Sequence, residues 1–106
     1  MGKNRDRESL IRLMVNTIVH EIVMKHTNRP ESKDFLKSEI VEYRGQTEKV
    51  AKQYTWNDKD KGYIKAKALK KIKEKLESKY SDVSYKAKEP QILLDKEIKD
   101  LGLSKQ

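Results

Sequence analysis

The chain contains no cysteine, which excludes a disulfide framework, a thiolate metal centre and a thiol nucleophile, and fits a reducing, intracellular setting. Histidine occurs only twice, at His20 and His26. His20-Glu21 begins like a helical zinc-protease motif, but the second ligand belongs four residues on, where Met24 stands, so the motif fails. Glycine is equally sparse. Gly2, Gly45, Gly62 and Gly102 are isolated from one another, which excludes a glycine-rich phosphate loop. No serine or histidine sits in a spacing that identifies a nucleophile with its base. The expectation is therefore a protein that is not an enzyme, with no metal, no cofactor and no small-molecule substrate.

Long apolar runs are also missing. No stretch approaches the length needed to cross a bilayer. The opening Met1-Gly2-Lys3-Asn4-Arg5-Asp6 carries no apolar segment of signal-peptide type, and Asp6 stands where a myristoylation motif needs Ser or Thr. A soluble cytoplasmic protein with no membrane role is expected. Hydrophobic residues make up 35% of the 106 and charged residues 40%, so the core must be small. A chain of this length holds one domain, residues 1–106, with 1–6 and 104–106 expected to be loose.

The apolar residues that are present recur at helical spacing. Ile11, Val15, Ile18 and Ile22 form one stripe, Leu10, Leu13 and Met24 lie on another side, and Arg12, Asn16 and His20 make a narrow polar strip. This predicts a first helix over about 7–25 that is apolar on nearly two faces. Such a helix is either the centre of the fold or a subunit interface. Pro30 suits the first turn of a second helix over about 31–54, along the stripe Leu36, Ile40, Tyr43, Thr47, Ala51 and Tyr54. That stripe passes Gly45 in phase, so one long helix is expected, with Gly45 the place for a bend; the alternative is two helices that meet there. Asn57 or Asp58 caps a third helix over about 59–80 with Ile64, Ala68, Ile72 and Leu76 inward. A loop follows, which Val83 and Tyr85 can pin to the core. Pro90 opens a last helix over about 90–101, and Gly102 provides a C-terminal cap. The expected fold is all-α, a compact bundle of four helices.

Charge supplies the functional signal. Residues 59–79 hold nine lysines against Asp60, Glu74 and Glu77, which is +6 of the chain's net +8. A concentration of this kind attracts phosphate, whose neutralisation releases counterions and gives affinity without sequence information. Lys59, Lys61, Lys67, Lys70 and Lys71 are the candidate phosphate contacts, and Arg5, Arg7 and Arg12 can extend the patch. The competing reading is a solvated helix face, with Lys70–Glu74 and Lys73–Glu77 partly cancelling the field. Trp56, near Tyr54 and Tyr63, either stacks on bases or plugs the corner between two helices. A helix-turn-helix over 46–71 is a poor match, because the gap between helices is too long.

Two functions follow as expectations. The first is a small, basic, nucleic-acid-associated protein with little sequence specificity, binding DNA or RNA through the lysine helix. The second is a protein-interaction module, homodimer or adaptor that uses Leu10, Leu13 and Met24 on the spare face of the first helix.

Overall fold

The computed structural model describes residues 2–26, 30–81 and 83–102. Four helices account for most of them: α1 (Gly2–His26), α2 (Pro30–Lys52), α3 (Asp58–Lys79) and α4 (Glu89–Asp100). The all-α bundle expected from the stripes is what forms.

Because α1 is apolar nearly all round, it must be covered on more than one side, and it takes the central position. Leu10, Leu13, Met14, Ile18, Ile22 and four further apolar residues of α1 are buried. α1 packs against each of the other three helices, and α3 also packs on α4. α2 makes backbone contact with no helix but α1 among the described residues. One core is shared by all four, with Leu36 and Ala51 from α2, Ile64, Ile72 and Leu76 from α3, and Leu94 and Ile98 from α4. Two threonines enter it without leaving a hydroxyl unsatisfied. Thr17 Oγ1 donates to the Leu13 carbonyl at 2.8 Å and Thr47 Oγ1 to that of Tyr43 at 2.6 Å, the back-bonding open to hydroxyls inside a helix.

The helix ends follow local chemistry. Asn57 caps α3, its side-chain oxygen accepting from the Asp60 N–H at 2.7 Å. Pro90 lies in the first turn of α4, where its missing N–H costs nothing. Gly102 follows α4 with φ of +72°, the left-handed conformation that a residue without Cβ adopts freely. α2 runs without interruption through Gly45, where an added Cβ would meet nothing within 4 Å. Val83 and Tyr85 pack against the core from the non-helical segment before α4.

One boundary departs from expectation. α1 starts at Gly2, not near residue 7, because its first turns find tertiary partners. Lys3 Nζ donates to the Thr55 carbonyl at 2.9 Å and lies 3.2 Å from Asp60, Arg7 reaches the same carboxylate at 3.3 Å, and Tyr54 donates its hydroxyl to Asp6. The connector between α2 and α3, together with the first turn of α3, thus holds residues 3–7 in helical form.

Candidate anion-binding surface along the third helix

α3 turns Ile64, Ala68, Ile72 and Leu76 inward, which forces its lysines outward or to the flanks. The expected phosphate contacts then divide. Lys59, Lys70 and Lys71 are exposed and Lys61 is half-buried; none of the four has an ion pair among the described residues. Lys67 is committed elsewhere. Its Nζ lies 2.6 Å from Glu8 and donates to the Tyr63 hydroxyl at 2.7 Å. These bonds raise the Lys67 pKa and, from the other side, lower that of Glu8. Lys67 serves first as a brace between α1 and α3.

The aromatic residues are occupied as well. Trp56 is 5% exposed, its indole N–H donates to the Ala51 carbonyl at 2.9 Å, and its ring meets Tyr54 edge-on at 5.4 Å. It plugs the corner between α2 and α3, so it offers no face to a base; a large aromatic at a tight corner gains more from burial than from exposure. Tyr63, 37% exposed, donates to Glu8 at 3.0 Å and carries the Arg7 guanidinium 4.1 Å from its ring centroid.

The apolar interface residues also moved inward. Leu10 is 0% and Leu13 5% exposed, because α2 on one side and α3 with α4 on the other cover both apolar faces of α1. Met24 alone of the three remains half-buried.

A cationic groove lies between α1 and α3. About 340 Å³ in volume, it is lined by Arg12 and Asn16 from α1 and by Lys71, Lys75, Ser78 and Lys79 from α3, with Glu74 the single acid. Through Lys71 and Glu74 it continues into a second hollow of about 420 Å³ that includes Lys70 and Lys67. Neither Lys70–Glu74 nor Lys73–Glu77 forms an ion pair within 4.0 Å, so the expected cancellation by direct pairing is not present among the described residues. Lys65, by contrast, pairs with Asp95 of α4 at 3.1 Å.

Lys75 is the distinctive member of the groove. It is half-buried, and its ammonium donates to the neutral side-chain oxygen of Asn16 at 2.6 Å. Burial, and then the neighbouring charge of Lys79, lower its pKa. A desolvated cation beside like charge is stabilised by any anion that enters the groove. The spacing of Lys71, Lys75 and Lys79, one helical turn apart each time, is readable in the sequence. Their meeting with Arg12 is not, since it depends on how α1 lies against α3.

The remaining polar clusters are structural. His26 Nε2 sits 2.9 Å from both oxygens of Glu89, and His20 Nδ1 sits 2.6 Å from the Asn16 carbonyl with its ring 5.5 Å from Tyr43. No cluster of three metal-binding side chains occurs among the described residues. Among the described residues no helix is long and apolar enough to cross a membrane. No family model, curated protein or solved structure matches the chain.

Proposed function

We propose that this is a cytoplasmic, non-enzymatic protein that binds nucleic acid through phosphate, using Arg12 of α1 with Lys70, Lys71, Lys75 and Lys79 of α3. Lys59 and Lys61 would extend the contact towards the start of α3. The observation that carries this reading is the groove itself, in which four cations face one carboxylate and one of them, Lys75, is partly desolvated with no counter-ion among the described residues. Cations arranged only for solubility gain by standing apart in water; bringing them together costs repulsion that an anionic ligand would relieve. Trp56 and Tyr63 are engaged within the fold, which would leave the backbone as the part of the polymer recognised, with little base preference expected.

Fluorescence anisotropy of labelled DNA and RNA, single- and double-stranded, tests the reading across a salt series. Neutralising three to four duplex phosphates would weaken binding roughly 40- to 150-fold between 50 and 200 mM salt. The combined variant Arg12→Glu, Lys71→Glu, Lys79→Glu is expected to abolish binding while retaining the helical circular-dichroism spectrum. Undiminished binding by that folded variant would refute the assignment.

A further inference from the structure

A second surface, sharing no lining residue with the cationic groove, lies between α2 and α4. The two helices make no backbone contact with each other among the described residues, and α1 forms the floor between them. The resulting groove, about 530 Å³, has Met24 of α1 and Leu93 of α4 as its apolar base. Both side chains are only partly buried and pack against the core from outside. Lys33 and Lys37, one turn apart on α2 and both exposed, stand along one rim with Asp34 beside them. Val41, 66% exposed, follows Lys37 by another turn on the same flank of α2. Glu21 of α1, which also lines the groove, is held by Arg44 of α2 at 2.6 Å, and the same guanidinium approaches Glu97 of α4 at 4.0 Å.

We infer that this groove docks an acidic amphipathic helix of another protein. The walls are helices and the floor is a third, so the occupant that fills the gap at helix-packing distance is a helix, with one apolar face against Met24, Leu93 and Val41. Methionine in the floor adapts to side chains of differing shape. Charge selects the sign of the partner. Lys33 and Lys37 have no ion pair among the described residues and outnumber the one open acid beside them, Asp34, whereas the acidic Glu21 is already paired with Arg44. A second copy of this chain is a poor occupant, since each copy carries +8 and the two would repel. Nucleic acid is a poor occupant too, because its backbone offers nothing apolar to Met24 and Leu93. Docking here would give α2 a second neighbour and join an acidic protein to the nucleic-acid-binding face.

The probe is a synthetic helix-forming peptide of about four turns, with leucines at i, i+3, i+4 and i+7 and glutamates flanking them. It is titrated into isotope-labelled protein and followed by amide chemical shifts. Saturable shifts around Met24, Lys33, Lys37, Val41 and Leu93 are expected. Lys33→Glu with Lys37→Glu is expected to weaken the peptide about tenfold or more, and Val41→Asp to weaken it independently of the lysines. Lys70→Glu with Lys71→Glu should leave it unchanged, which separates this site from the proposed nucleic-acid face. Three results would overturn the inference: absence of saturable shifts at the groove, shifts confined to α3, or equal binding by a peptide with its leucines replaced by alanine. Concentration-dependent dimerisation through the same residues would overturn it as well, by making a second copy the occupant.

Discussion

Glu97 is buried between helices with Arg44 as its nearest cation at 4.0 Å. Burial pushes its pKa up to about 7 from the ordinary 4.5; Arg44 opposes the shift, while Glu21, Asp100 and Glu48 add to it. The neutral acid is therefore the form that the folded state prefers. A carboxyl raised in this way stabilises fully below the unfolded pKa, and the contribution is lost as pH rises towards 7 and is gone above it. Denaturant unfolding between pH 4.5 and 7.5 should show a fall in stability of up to about 3 kcal/mol assignable to this group. Glu97→Gln should remove most of that slope. A variant with the same slope as the parent would mean that Glu97 ionises in the folded protein at no cost. Glu8, Asp60 and Glu89 work in the opposite direction. Ion pairs or hydrogen bonds lower their pKa values, so their contribution is present above the ordinary carboxylate range and is lost as acid is added.

α1 illustrates what neighbours do to an element. Its first two turns carry Lys3, Asn4, Arg5, Asp6 and Arg7, no apolar residue among them, and in isolation such a segment frays. It is helical here because one carboxylate, Asp60 at the start of α3, receives Lys3 at 3.2 Å and Arg7 at 3.3 Å. These two residues are i, i+4 neighbours on one face of the helix. Replacing Asp60 with Asn keeps the shape and removes the charge. Amide hydrogen exchange of residues 3–7 should then accelerate about tenfold or more relative to residues 10–22. Exchange that speeds up equally along all of α1 would instead assign Asp60 a role in global stability. α2 shows the reverse condition. With α1 as its only helical neighbour by backbone contact among the described residues, it leaves Phe35 and Val41 exposed on flanks that a more enclosed helix would bury.

At the scale of the whole molecule the net charge of +8 matters less than its partition. Acidic residues of α1 and of the first turn of α3 neutralise the cations where α1 and α3 begin, through Glu8 with Lys67 and Asp60 with Lys3 and Arg7. Further along α3, Glu74 is the one acid among the described residues that lines the groove with Lys71, Lys75 and Lys79. The field is thus stronger over the later turns of α3 than a count along the sequence suggests. The two proposed surfaces involve different residues and, on this reading, work independently. Saturating the protein with duplex DNA at moderate salt should change its affinity for the acidic peptide by no more than about threefold, because the two surfaces share no lining residue and salt screens what charge coupling remains. Strong mutual exclusion would place both ligands on the same face.

Several features were decided by short-range chemistry and were legible from the chain alone. Helical periodicity, Pro30 and Pro90 near helix starts, Asn57 as a cap and Gly102 after the last helix specify four helices in order. Each of these acts within a few residues of itself, and the nearly all-round apolarity of α1 made it a candidate for the centre of the bundle. The tertiary structure alone decided which cations are spent and which remain. Glu8 and Lys67 are 59 positions apart and Lys3 and Thr55 are 52 apart, and nothing local marks either pairing. The same holds for Trp56 turning into a corner, for Leu10 and Leu13 disappearing beneath neighbouring helices, and for Glu97 reaching a near-neutral pKa. A residue's secondary structure depends chiefly on its own turn of chain, whereas its charge state, exposure and availability to a ligand depend on whatever the fold brings beside it.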